Sequence, residues 1–430
     1  MPWNNKIVSL ILIIIFSFFT GCSLKQPQKE SKYCCPKLFE DEDRFIMTAL
    51  YFKQLGAYRD SAKLFNILYK KTKRVEYKIE EIKNYIIIRD YEKAKRESLK
   101  ALKEHPNNLK LLRLTAVIFF HLKNLKKAQE YIQKAIKMAD KPQDYEFLAS
   151  LYLAQKKYEL ALKYYQSAYT IKPNDKTVDQ MATIMFLYLD KKNEAIAYLE
   201  THSRMYGCSK KVCQKLVSFY GAINDIDGLL SVYKRLYEKF KEDSYGFKIA
   251  EIYIYKKEYD KAINFLEETR LDDELLLELY KMTKTYDKAA QLANRLYIKT
   301  GDLNYLAQNA IFEFESSKIK DEKLLKDVSY KIEKVIKSVK NSLYLNYLGY
   351  LYIDFDIDID RGIELVKEAL KQNPESPFYQ DSLAWGYYKK GRCKEAWELM
   401  EKVVKKLGLK DEEVKLHYQK IKDCIEKGER

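Results

Sequence analysis

A small residue returns along this chain at a spacing of about 33.5 positions, and that feature limits its fold more than any other. The slot can be followed from Ser61 through Ala94, Ala128, Ala161, Ala195, Leu229, Ala262, Ala289, Val328 and Gly362 to Ala396. Eight of the ten intervals are 33 or 34 residues. The other two are adjacent, 27 residues up to Ala289 and 39 up to Val328, and together they equal two ordinary intervals. Repetition on this scale means stacked supersecondary units, none able to bury its apolar face alone. The 430 residues therefore read as one elongated stack rather than as about three compact domains.

The unit itself is clearest from Pro142 to Asp175. Tyr145, Leu148, Ala149 and Tyr152 fall at i, i+3, i+4 and i+7, one face of a helix. Lys156, Lys157 and Tyr158 mark a turn, and Ala161, Tyr165 and Ala168 line a second helix that Pro173 stops. Small residues let the two helices approach, and large ones fill the space beside them. The arrangement resembles the tetratricopeptide repeat, W-x2-L-G-x2-Y…A-x3-F…P, with Tyr for Trp and Ala for Gly. Leu348, Gly349 and Tyr352, then Leu383, Ala384 and Tyr387, restore the signature late in the chain. Tyr-Glu-Lys-Ala at Tyr91 and Tyr-Asp-Lys-Ala at Tyr259 and Tyr286 share one entry into the second helix. The unit from Lys210 is degenerate, with Leu229 in the small slot.

The expected fold is all-α: an α-solenoid of about eleven helix pairs over 42–408, closed by a capping helix within 409–430. Near Ser316 to Lys323 one unit is expected to be extended and its neighbour short. Only 13 Gly and 8 Pro occur, which excludes a loop-rich β-sandwich; 47% hydrophobic and 33% charged residues exclude wholesale disorder. The 37 Tyr largely fill aromatic slots such as Tyr85, Tyr152, Tyr220 and Tyr253.

The first residues speak to compartment. Lys6 precedes a 13-residue apolar run, Ile7 to Phe19, the length of a signal-peptide core rather than a membrane span. Phe19-Thr20-Gly21-Cys22 resembles the lipobox of bacterial lipoproteins. That resemblance implies removal of 1–21, lipidation of Cys22 and a tether over 22–41. Ser23, where an inner-membrane retention signal would place Asp, implies an outer-membrane anchor facing the periplasm. Disulfides can form there. Cys208 and Cys213 are near neighbours, and Cys393 and Cys424 are expected on one edge of the stack. Cys34 and Cys35 are adjacent, and no pair has C-x2-C spacing.

Nothing in the sequence points to catalysis, a metal or a cofactor. His105, His121, His202 and His417 lack metal-ligand spacing and are expected at helix ends or on the surface. Asp354, Asp356, Asp358 and Asp360 alternate with apolar residues but fail the calcium-loop pattern, so they read as a turn with one inserted residue. The function expected is a scaffold or adaptor for protein or peptide partners in a bacterial cell-envelope assembly, as the repeat family implies. Its groove would be lined by first-helix residues: Lys110, Arg113, Phe120, Phe247, Tyr255, Tyr350, Phe378, Trp385, Tyr388 and Lys389. The net charge of +16 is spread along the chain; nucleic acid is not expected, whereas an exported anionic polysaccharide or lipopolysaccharide is an alternative partner.

Overall fold

The structure, a computed structural model, describes residues 40–428; the expected signal peptide, Cys22 and most of the expected tether lie outside them. The described residues form helices only, joined by short turns. They are α1 (Glu42–Gln54), α2 (Tyr58–Thr72), α3 (Val75–Ile87), α4 (Tyr91–Glu104), α5 (Leu109–His121), α6 (Leu125–Met138), α7 (Pro142–Ala154), α8 (Tyr158–Ile171) and α9 (Asp175–Tyr188). There follow α10 (Lys192–Tyr206), α11 (Lys210–Ala222), α12 (Ile226–Phe240), α13 (Asp243–Tyr255), α14 (Tyr259–Thr269), α15 (Asp273–Met282), α16 (Tyr286–Thr300) and α17 (Leu303–Ser316). The last six are α18 (Glu322–Ile336), α19 (Ser342–Asp354), α20 (Ile359–Gln372), α21 (Pro377–Lys389), α22 (Cys393–Leu407) and α23 (Glu412–Gly428). They read as eleven helix pairs plus one capping helix, an α-solenoid. They group into two compact units that divide between Lys191 and Lys192.

The pair α7–α8 shows why these sequences fold this way. Pro142 opens α7, where its missing N–H costs nothing. Leu148, Ala149 and Tyr152 are buried on one face, and Ala161, Leu162, Tyr165 and Ala168 on the facing side of α8. Burying a leucine such as Leu148 contributes about 2 kcal/mol, and alanine opposite it lets the helix axes close. Between them Lys156 adopts left-handed φ (+56°). The Lys157 N–H reaches the Tyr152 carbonyl (2.9 Å) and the Lys156 N–H that of Leu153 (2.9 Å), the Schellman closure of a helix end.

That closure recurs. Ten of the eleven turns from first to second helix contain a left-handed residue, and only Gly56 and Gly391 among them are glycines. The low glycine content thus coexists with left-handed turns because Lys, Arg, Asp and Asn take the position, at about 1 kcal/mol each. The residue after it often caps the next helix: Asp90, Asn124 and Asp225 each accept from a backbone N–H three residues on, and Asp358, one position further along its longer turn, does the same.

The slot residues are buried, with one correction. Leu229 is only half-buried; the close approach is at Gly228, where a Cβ would stand 2.3 Å from the Tyr220 ring. In α19–α20 two glycines take over, since a Cβ on Gly349 would lie 2.8 Å from the Gly362 carbonyl. The spacing defect resolves into local changes: α14 and α15 are short, at 11 and 10 residues. Next, α17 leads into α18 through residues 317–321, and α18 starts six residues before its slot residue Val328 instead of three. No residue of 317–321 has positive φ.

Candidate interaction surface

The ten groove residues nominated from sequence part into two groups. In the first unit, Lys110 is exposed on the first turn of α5. Arg113, on the same helix, is occupied: its Nε and Nη2 hold the Asp144 carboxylate of α7 at 2.7 and 2.6 Å. Asp144 is buried, and a bidentate pair of this kind positions two first helices rather than a ligand. Phe120 is half-buried and packs edge-on against Phe147, ring centroids 5.9 Å apart.

In the second unit, Phe247 and Tyr255 stand out from α13, with Tyr255 73% exposed. Phe378, on α21, is 62% exposed. The rest of the C-terminal set forms an internal joint. Trp385 is only 7% exposed, so it is no groove anchor. Its indole N–H donates to Asp354 (2.9 Å), and its ring lies between Tyr388 (4.8 Å) and His417 of α23 (4.2 Å). His417 Nδ1 meets the Asp381 carboxylate at 3.0 Å, and both residues are buried. Tyr350 is half-buried and its hydroxyl donates to Glu413 of α23. Burial, then that hydrogen bond, raises its pKa far above the ordinary tyrosine value. Lys389 is tied to Asp356 at 2.9 Å. Tyr350, Trp385 and Tyr388 therefore seat the capping helix, because α23 covers the faces of α19 and α21 that would otherwise look into a groove.

Two histidines correct the expectation of surface or helix-end placement. His202 and His417 are each about 1% exposed, inside α10 and α23. The signal for His417 was present: Val414, His417 and Ile421 recur at i, i+3 and i+7, so the ring shares the buried stripe. The aspartate run is a turn whose carboxylates are engaged from α21 and by capping: Asp354 by Trp385, Asp356 by Lys389, Asp360 by Lys390 and Asp358 by the Arg361 N–H. Among the described residues no three His, Cys, Asp or Glu stand close enough to hold a metal ion. Cys208 is disulfide-bonded to Cys213, and Cys393 to Cys424, each with Cα atoms 5.7 Å apart. The second bond links α22 to α23.

Several large side chains remain exposed among the described residues. They include Tyr255 and Phe378 on first helices and Tyr206 and Tyr330 on second helices, beside lysines of which some are paired with carboxylates, such as Lys248 with Glu251 (2.6 Å).

Residues 88–145 and 127–176 match the model of the tetratricopeptide repeat family. A TPR repeat-containing protein of Methanocaldococcus jannaschii, MJ1428, is 24% identical over 320 residues, covering 73% of this chain and 47% of its own length. The chain thus spans about half of that relative. Similar solved structures include MamA (41-end) from Desulfovibrio magneticus RS-1, at 14% identity, 39% of this chain, 96% of that one and a TM-score of 0.36. PilF of Pseudomonas aeruginosa matches at 15% identity over 50% of this chain and 97% of that one, TM-score 0.37. The Cut9–Hcn1 assembly matches at 11% identity over 89% and 96%, TM-score 0.37.

Proposed function

With tetratricopeptide repeats in the chain as premise, we propose that it is a non-catalytic scaffold, lipid-anchored through Cys22 to the outer membrane and facing the periplasm. It would hold protein partners of a cell-envelope assembly, whether outer-membrane, pilus, secretion or peptidoglycan machinery. The observation that supports this reading most is the set of large side chains left exposed on first helices, Phe247, Tyr255 and Phe378. Exposed aromatics on a rigid frame are the usual anchors of a protein interface. The anchor rests on the Phe19–Cys22 signature.

Two experiments test it. A photo-crosslinking residue placed at Tyr255 or Phe378 in cells is expected to give a discrete protein adduct that survives raised salt. If only an anionic polysaccharide is recovered, and salt releases it, polymer binding through the +16 charge replaces the scaffold reading. Labelling with a fatty-acid analogue should mark the protein and be lost in Cys22→Ser; unchanged labelling would remove the anchor.

A further inference from the structure

The defect in the repeat has built a cavity. The residue after the small slot is Leu or Ile in five other units (Leu162, Ile196, Leu230, Ile263, Ile363), each buried to 6–8% exposure. In α18 it is Ser329, equally buried at 7%, and its hydroxyl has no hydrogen-bond partner. Ala62 and Ala290 are equally small at this position but carry no polar atom, whereas a serine in place of the branched aliphatic leaves space and an orphan buried hydroxyl that calls for a partner. The next position is charged, polar or small in every other unit, as at Lys63, Arg96, Glu130, Lys163, Glu364 and Glu398. Here it is Tyr330, 69% exposed. The facing turn, after α19, carries one residue more than the α7–α8 turn, and Ile357 within it is 45% exposed.

All three departures line one cavity of about 560 Å³, within the range of natural ligand pockets. One wall is the face of α18 from Glu322 to Glu333, spaced i, i+3, i+4, i+7, i+8 and i+11, a trough roughly 17 Å long at 1.5 Å per residue. The other is Tyr352, Phe355 and Ile357. The walls are fixed in advance: the Tyr352 hydroxyl donates to Glu333 (2.7 Å), and Phe355 packs edge-on against Phe314 (5.8 Å). At the mouth, Lys326 is paired with Glu322 (2.6 Å), which leaves Glu333 as an excess carboxylate in a strongly basic chain.

We propose that this trough is a second docking point, for a segment of a protein partner that inserts aromatic or long aliphatic side chains and carries a lysine or arginine beside them. The open-sided trough along three turns of helix fits a peptide better than an enclosed small molecule, and the acidic mouth selects its charge. The inference rests on the scaffold reading but uses a different surface, the second helix α18 and the turn after α19, instead of first-helix faces.

The test uses the full chain in detergent and a phage-displayed library of random dodecapeptides. Selected peptides should pair aromatic or aliphatic residues with Lys or Arg. Their affinity should fall about tenfold or more in Ser329→Leu, which fills the cavity with the side chain that Leu162 and Leu230 place at this position. Because that residue is native to the slot, the variant should melt at or above the parent temperature. Tyr330→Gln, at an exposed position, should weaken the same peptides several-fold and serves if the leucine variant fails to fold. Selection of no such peptides, of acidic ones, or of peptides bound equally well by both variants overturns the proposal. Peptides lost in Tyr255→Ala but not in Ser329→Leu would also overturn it while leaving the scaffold reading standing.

Discussion

The pairs α7–α8 and α17–α18 solve the same packing problem with different chain lengths. In both, the slot residue is fully buried, Ala161 in one and Val328 in the other. In the first the helices are joined by a three-residue left-handed turn; in the second, by residues 317–321 and an extra turn at the start of α18. Upstream, short α14 and α15 remove the residues that this region adds. What defines the unit is the buried contact between its helices, and the turn is free to vary. That freedom is where new surface arises, since the trough along α18 lies at the irregular pair.

The largest effects should test whether the two pairs are equally well packed. Leu148→Ala in α7 and Ile332→Ala in α18, both essentially inaccessible, should each cost about 2–5 kcal/mol in denaturant unfolding of their own unit. Similar losses would support the equivalence. A much smaller loss at Ile332 would mean that the irregular pair is loosely held and that its trough is a packing fault.

Next in size is an alkaline signature of the regular pair. Tyr165 is buried in α8, and burial, then the nearby Glu146 carboxylate, pushes its pKa up to about 12. The folded value lies above the unfolded one, near 10, so this contribution is complete below about pH 10 and is lost as pH rises through about 12. Thermal melts between pH 9 and 12 should fall more steeply for the parent than for Tyr165→Phe, by about 2 kcal/mol at the upper end. Parallel curves would show that Tyr165 ionises freely and is not packed as described.

How much of this was legible beforehand depends on whether a property is local. The small slot, the aromatic slots and the defect near Ser316 could be read because each unit repeats a contact made within some 34 residues. The fate of Trp385 and Tyr350 could not. Both sit at first-helix positions that face open space unless another helix covers them, and α23 does. Arg113 was misjudged for the same reason: its carboxylate partner, Asp144, lies 31 residues on, in the next unit. The pairing of Ser329 with Ile357 in one cavity was equally invisible, since the two belong to different helix pairs and only the fold brings them together.

A smaller effect separates the two ways of starting a second helix. Asp321 caps α18 by accepting from the Leu324 N–H (2.8 Å), whereas α8 begins at Lys157 with no side-chain cap. Asp321→Ala should therefore cost about 1 kcal/mol, while Lys157→Ala should be near neutral. Urea midpoints of the two variants give the comparison directly; equal losses would mean that the residue before α8 contributes as much as the cap of α18.

The smallest effect bears on the turn itself. Lys156 holds φ at +56°, a conformation that costs a side-chain-bearing residue about 1 kcal/mol and glycine almost nothing. Lys156→Gly relieves that strain in the folded state but adds freedom to the unfolded chain, which offsets part of the gain. The net expectation is a stabilisation of about 0.5 kcal/mol, read as a small rise in melting temperature. In the α17–α18 link the same substitution has the opposite sign. Ser317 sits at φ −74° and its hydroxyl donates to the Ile319 carbonyl (2.7 Å), so Ser317→Gly relieves nothing, adds unfolded-state entropy, removes that hydrogen bond, and should lower stability by about 0.5–1 kcal/mol. If the two glycines shift stability in the same direction, the left-handed turn is not what distinguishes the regular pair, and the difference must lie in the packing of the helices on either side.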